Sequence, residues 1–169
     1  MTAERNLLDY SVQKLEQLSS RIATCLDTLS DDQIWFRSSG NSNAPGNLVL
    51  HLSGNVRQWI VSGLGGKPDI RVRDREFSTR GGVTRQELKE RLAGVVAEAV
   101  EVIRQLPEAR MTEKVVIQGH EVTVLEAVYH VVEHFSGHTG QIIFAAKALT
   151  EKDFGFYSYL NQPHSEKVP

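Results

Sequence analysis

Four stretches of the chain share one apolar rhythm, and that rhythm limits the fold more than any other feature. Leu15, Leu18, Ile22, Cys25 and Leu29 step by 3, 4, 3 and 4 residues. A second run starts after Pro45-Gly46 and passes through Leu48, Leu52, Val56, Trp59 and Ile60. A third runs through Leu88, Leu92, Val95, Ala99, Val102 and Leu106, and a fourth from Val124 to about Leu149. Steps of three and four trace one face of an α-helix. Their alternation is the seam of helices crossing at about 20°, as in four-helix bundles. The expected fold is therefore an all-α four-helix bundle.

Punctuation between the runs agrees. Thr84-x-x-Glu87 and Thr123-x-x-Glu126 have the spacing of a capping box, in which hydroxyl and carboxylate satisfy backbone N–H groups at a helix start. Pro107 closes the third run. Ser30-Asp31-Asp32-Gln33 can cap one short extra turn before Trp35 and Phe36, and residues 38–46, rich in Ser, Asn and Gly, read as a loop. Residues 114–122 alternate around Gly119-His120, which predicts a small β-hairpin before the fourth helix with His120 in its turn. Residues 63–82 show no period, and a loop of that length in a compact domain is usually functional or mobile. Residues 1–150 are expected to form a single domain. Residues 151–169, with His164, are expected to form a C-terminal tail packed on it or frayed from it.

Composition narrows the function classes. At 169 residues the chain can bury a core without disulfides or metal. Its net charge of −2 excludes a broadly basic nucleic-acid binder. One cysteine, Cys25, excludes a disulfide framework and a Cys-rich zinc site; in the first seam it reads as an inert buried thiol. No apolar run approaches the ~18 residues of a membrane span, and residues 1–6 lack the apolar segment of an export signal. A cytoplasmic location, no membrane contact and a small-molecule substrate are the resulting expectations.

The histidines carry the chemistry. His130, His134 and His138 form an i, i+4, i+8 ladder on the fourth helix. Neighbours four apart can reach one ion, whereas His130 and His138 are about 12 Å apart along the axis. The stripe Val124, Ala127, Val131, His134, His138, Gln141, Ala145, Ala148 selects His134 and His138 as inward-facing, with His130 at its edge. His51 faces the core side of the second helix, and adding it gives three imidazoles with one position open for water. That pattern belongs to catalytic zinc-like sites. Nickel, cobalt or iron also accept imidazole. The plainer alternative is three hydrogen-bonded core histidines without an ion. Asn55 and Gln141, one turn from the proposed ligands, are placed to hold their ring N–H groups or a substrate. His130 is the nearest candidate for a separate general base. Trp35 and Trp59 read as packing residues.

Rival motifs fail on their own terms. His130-Val-Val-Glu133-His134 matches H-x-x-E-H, but too few residues follow to supply the third carboxylate ligand of that class. A di-iron bundle needs Glu-x-x-His on two helices, which is absent. Residues 63–82 hold Lys67, Arg71, Arg73, Arg75 and Arg80 against Asp69, Asp74 and Glu76, a local charge of +2. Self-pairing is the simple reading; the sharper one has Arg71, Arg73 and Arg75 binding an acidic substrate.

Taken in order, Asn47-Leu-Val-Leu-His51-Leu-Ser-Gly-Asn55-Val-Arg-Gln-Trp59, then Arg73-Asp-Arg-Glu-Phe77, then His130-Val-Val-Glu-His134-Phe-Ser-Gly-His138-Thr-Gly-Gln141, resemble the DinB-like superfamily of bacterial proteins. The resemblance spans nearly the whole chain and implies a four-helix bundle with a long crossover connection between its second and third helices. It implies that His51, His134 and His138 hold a divalent metal, nickel or zinc, and that the protein forms a homodimer. Thiol-cofactor S-transferases and a thiol-dependent isomerase in that superfamily imply a metal-dependent transferase or hydrolase using a low-molecular-weight thiol. A non-catalytic metal- or ligand-binding bundle involved in stress is the alternative.

Overall fold

The computed structural model describes residues 2–161. Helix α1 (Ala3–Thr28) is followed by a single turn, α2 (Asp31–Ile34), and by α3 (Pro45–Val56), which continues as a π-helical segment, Arg57–Ser62. A short α4 (Arg73–Ser78) precedes α5 (Arg85–Gln105). Strands β1 (Lys114–Ile117) and β2 (His120–Thr123) then lead into α6 (Val124–Thr150).

The starts are where side chains can cap them. Ser30, Thr84 and Thr123 each accept a hydrogen bond from the backbone N–H three residues on, and Gln33, Glu87 and Glu126 answer to the cap residue's own N–H. Pro45 takes the first position of α3, where its missing N–H has no helical partner to lose. Helix α5 ends at Gln105, just before Pro107.

The four long helices close a square: α1 packs on α5 and α6, and α3 packs on the same two. Seam residues Leu15, Ile22 and Cys25 of α1, Leu52 and Ile60 of the α3 segment, Leu88 and Leu92 of α5, and Val128 and Phe135 of α6 are buried together. This is the expected all-α bundle, with a long connection between its second and third helices. Helix α3 is buried almost all round, so a polar side chain on it needs a partner inside the protein. Phe154 and Phe156, beyond α6, pack half-buried against the same core. Residues 162–169, including His164, lie outside the described residues. No helix among the described residues is long and apolar enough to cross a membrane.

Three expectations change. The hairpin turns one residue earlier than its alternation suggests: Gln118 and Gly119 both have positive φ, and His120 is already the first residue of β2, paired with Ile117. Two left-handed residues in succession give the tight turn whose twist suits a two-residue hairpin. Residues 63–82 are not featureless, because they hold α4. Six residues are too few for an apolar period, and side chains elsewhere fix this helix. The buried stripe of α6 is also shifted. Its centre is Val128, Val131, Phe135, Thr139, Ile142 and Ala146, whereas His134 and His138 are half-buried and Gln141 and Ala148 exposed. The histidine line is thus the border of the seam, where α6 meets α3 and the interior opens.

Candidate metal centre

Helix α3 carries three buried polar residues one turn apart, Asn47, His51 and Asn55. Asn47 and His51 both find partners in Glu76 of α4, and Asn55 faces His130 of α6. The Asn47 amide donates to the carbonyls of Glu76 (2.8 Å) and Thr79 (2.9 Å). Its Oδ1 accepts from Arg37 at 2.8 Å, and the same Arg37 nitrogen donates to the Phe77 carbonyl. Helix α4 is therefore pinned to α3 through its backbone, which brings the Glu76 side chain over His51.

Glu76 is the buried carboxylate of the site. Its Oε2 lies 2.9 Å from His51 Nδ1. Arg71 grips both oxygens, with Nε 2.7 Å from Oε1 and Nη2 2.9 Å from Oε2. Arg71 Nη2 also sits 3.1 Å from His51 Nδ1. An ionised carboxylate can only accept, so His51 carries its proton on Nδ1 and donates it to Oε2, and Arg71 Nη2, which can only donate, bonds Oε2 rather than that N–H. Burial alone would raise the Glu76 carboxyl, but hydrogen bonds from Arg71 and His51 and the Arg71 charge outweigh it and hold it below the usual carboxylate range. Gln58 accepts from Arg71 Nη1 at 2.8 Å and donates to Asp69 at 2.8 Å, so the fork is itself held in place.

With Nδ1 engaged, His51 turns Nε2 inward, 2.9 Å from Nε2 of His134. The rings of His51 and His138 stand 5.0 Å apart and those of His134 and His138 4.5 Å, both nearly perpendicular. One ligand nitrogen from each of His51, His134 and His138 falls within 4.8 Å of the others. His138 gives Nδ1 to Gln141 Oε1 at 2.9 Å, leaving its Nε2 for the cluster. Phe77 covers His51 with a centroid separation of 4.7 Å.

The donor set fits a metal ion. Ligating imidazoles must be neutral. Burial pushes His134 down to about 3, helped by the neighbouring His138, His51 and His130, and burial likewise lowers His138. Two of the three rings have their second nitrogen fixed by an acceptor, the arrangement that sets tautomer and aim in histidine metal sites. Two Nε2 atoms facing each other at 2.9 Å need either a proton or a cation between their lone pairs.

The other expected residues are placed as follows. His130 stays outside the cluster: its ring lies 4.1 Å from Trp59 and 5.4 Å from His134, and its Nε2 is 3.5 Å from the Asn55 amide. Asn55 thus meets His130 rather than a ligand of the cluster, whereas Gln141 does hold one. The three arginines do not converge. Arg71 is buried on Glu76, Arg73 is exposed with its guanidinium over Phe77 (4.8 Å), and Arg75 is exposed. Cys25 is fully buried, and burial raises its thiol to about 11, so it is inert.

Sequence reasoning missed Glu76, Asn47 and Arg37. A signal for Asn47 was present, one turn before His51 on a helix otherwise apolar all round. Nothing in the spacing of Glu76 marks it, because it comes from a turn of chain with no period.

A family model described as "Protein of unknown function (DUF1572)" matches residues 2–162. No curated protein matches the sequence. Among solved structures, a conserved protein from Enterococcus faecalis superposes with a TM-score of 0.71 at 14% identity, covering 90% of this chain and 99% of that one. A DinB-like protein of Bacillus subtilis, YjoA, gives 0.67 at 16% identity over 88% and 97%. The mycothiol-dependent maleylpyruvate isomerase, as a mutant, gives 0.64 at 16% identity over 84% of this chain and 63% of that one. Such identities speak for the fold alone. With a family match over almost its full length, the chain belongs to the DUF1572 family, and it shares its fold with DinB-like proteins.

Proposed function

We propose that the protein is a divalent-metal-dependent enzyme, an S-transferase or hydrolase, that works at His51, His134 and His138 with nickel or zinc. The observation that carries this reading is the convergence of three imidazoles, two of them with Nδ1 tied to Glu76 and Gln141 so that Nε2 is left for the ion. Three protein ligands leave a coordination position open, which distinguishes catalytic from structural zinc-like sites. The chemistry such an ion supplies when bound is Lewis acidity, which lowers the pKa of a water or thiol brought to it. The likeness to a mycothiol-dependent isomerase supports a low-molecular-weight thiol as co-substrate.

The chain's own residues have separable tasks. Glu76 fixes the tautomer and aim of His51, and Arg71 keeps that carboxylate ionised inside the protein. Gln141 does the same for His138 from the exposed side. Phe77 shields His51 from water. His130, held between Asn55 and Trp59, is the nearest imidazole outside the triad and is the residue to receive a proton from a reacting group.

Elemental analysis of untagged protein tests the reading, with wild type beside His134→Ala. About one nickel or zinc per chain, lost in the variant, supports the site and calls for thiol-transfer and hydrolysis screens. Equal metal content in both, or none in either after reconstitution, overturns it.

A further inference from the structure

Two grooves of similar size are each lined by a residue that bonds a histidine of the triad, Glu76 in one and Gln141 in the other, and they differ in charge. One, about 650 Å³, lies between α3, α4 and α5 and is lined by Arg57, Arg71, Arg75 and Arg91 with Glu76, Glu90 and Glu98. Its path toward the histidines runs into the Arg71–Glu76 pair, whose side chains are 4% and 9% exposed and already bound to each other. A ligand reaching His51 from that side would have to break a buried ion pair.

The other groove, about 670 Å³, lies between residues 36–48 and the second half of α6. Phe36, Leu48 and Phe144 give it apolar walls, and Gly137 and Gly140 leave its α6 side open. Asn41 and Asn43 stand on its rim with carboxamides that make no hydrogen bond among the described residues. No residue lining it titrates. Gln141 also lines it, and the Oε1 of that side chain holds His138 Nδ1. Gly137, next to His138 in the chain, is part of the same wall. This groove therefore adjoins the triad through an exposed, uncharged side chain.

We propose that the uncharged groove holds the body of the substrate, and that the substrate is a neutral molecule with an apolar portion and an amide or hydroxyl group. The assignment rests on the metal-site reading above and adds the substrate class to it. The volume suits a small molecule, since ligand pockets run from about 300 to 1,000 Å³. An anion on apolar walls without a counter-charge loses its hydration and gains nothing in return. A neutral ligand loses far less, and the free carboxamides of Asn41 and Asn43 supply both donors and acceptors for its polar group. The arginines of residues 63–82 are then structural, with Arg71 serving Glu76.

The test uses the full chain loaded with zinc, labelled with nitrogen-15, and two matched probes: neutral N-benzylacetamide and anionic N-benzylsuccinamate. Metal content is measured on each sample. The neutral probe should shift the amide signals of Gly137, Gly140 and Phe144, and in the chain stripped of zinc, where no cation attracts a carboxylate, the anion should bind the groove at least about tenfold more weakly than the neutral probe. Gly140→Leu should fill the groove and weaken the neutral probe at least about tenfold with metal content unchanged, because a Cβ at Gly140 meets nothing within 4 Å and leucine suits a helix. The inference is overturned if zinc is bound and the neutral probe is not, if the anion binds the zinc-free groove as well as the neutral probe does, or if shifts centre on Arg75 and Arg91. It is also overturned if Gly140→Leu turns a dimer into a monomer and leaves probe binding intact, which would make the groove a contact between copies. A chain that takes up no zinc yet binds the neutral probe in this groove refutes the metal reading and upholds the groove.

Discussion

Replacing Gly54 by alanine should damage the site from a position that touches no histidine of the cluster. A Cβ at Gly54 would stand 1.9 Å from Glu76 Oε1, 2.9 Å from its Cδ and 3.0 Å from Arg71 Nε. Contacts under 3.0 Å are essentially never made by real Cβ atoms, so Oε1 must retreat by at least 3.0 − 1.9, or 1.1 Å. Glu76 is buried and held at both oxygens, so it cannot swing into solvent. A rigid retreat of that size stretches the 2.9 Å bond to His51 Nδ1 to as much as about 4.0 Å, beyond hydrogen-bond range. Losing the carboxylate behind a metal-binding histidine weakens metal by about 10- to 100-fold, or about 1.4–2.8 kcal/mol.

Stability should move against helix propensity. Alanine in place of a helical glycine normally gains about 0.5–1 kcal/mol. Overpacking a filled site costs about 1–3 kcal/mol, so Gly54→Ala should be net destabilising. Gly94→Ala is the control: Gly94 lies inside α5 and a Cβ there meets nothing within 4 Å, so only the propensity gain remains. The assays are chelator competition for zinc and urea unfolding of the metal-free protein. In a Glu76→Ala background the Gly54→Ala change should become stabilising, because the clash is gone. If Gly54→Ala binds zinc like wild type and gains stability like Gly94→Ala, Glu76 does not hold His51 in the manner described.

Arg71→Met should destabilise by about 3–5 kcal/mol, since it strands a buried carboxylate. Adding Glu76→Leu should recover much of that loss in urea unfolding. Metal-free protein should lose stability as pH falls from about 6.5 toward 3. The folded chain holds His134 down at about 3 while the unfolded chain takes up the proton near 6.5, so the unfolded state binds more protons across that window. The lowered His130 and His138 act in the same direction, and a urea midpoint unchanged between pH 7.5 and 5 would contradict this. Thr123→Ala should cost about 1 kcal/mol by removing the cap of α6, read as a lower urea midpoint with zinc content per folded chain unchanged.

The bundle was legible because its information is local. Each seam repeats many times within one helix, and Thr84, Thr123 and Ser30 announce their helix starts within three residues. The histidine pair on α6 was legible for the same reason, since His134 and His138 need only one helix to be neighbours. His51 needed family resemblance to be joined to them with assurance, because 83 residues separate it from His134. Glu76 was out of reach. It takes its place through Asn47 and Arg37 gripping the backbone of α4, and backbone carbonyls look alike in any sequence. The arginines misled for a related reason: composition counted charges in residues 63–82 but could not show that Arg71 is spent on Glu76 inside the protein.

The two supports of the triad divide the work of recognition. On one side His51 is held by a carboxylate whose charge Arg71 already balances, in a place no ligand reaches without breaking the pair. On the other His138 is held by Gln141, which is neutral and exposed. Neutral imidazoles and a balanced ion pair leave a bound divalent cation with its full charge. Its attraction therefore falls on whatever donor takes the open position, and an anionic donor such as a deprotonated thiol gains most. The groove beside Gln141 has no charge with which to select, so it selects by shape and by hydrogen bonds from Asn41 and Asn43. A protein arranged in this way recognises the reacting group by charge and the body of the molecule by fit. Changes at Phe36, Leu48 or Phe144 should then alter which substrate is used while leaving metal affinity where it was.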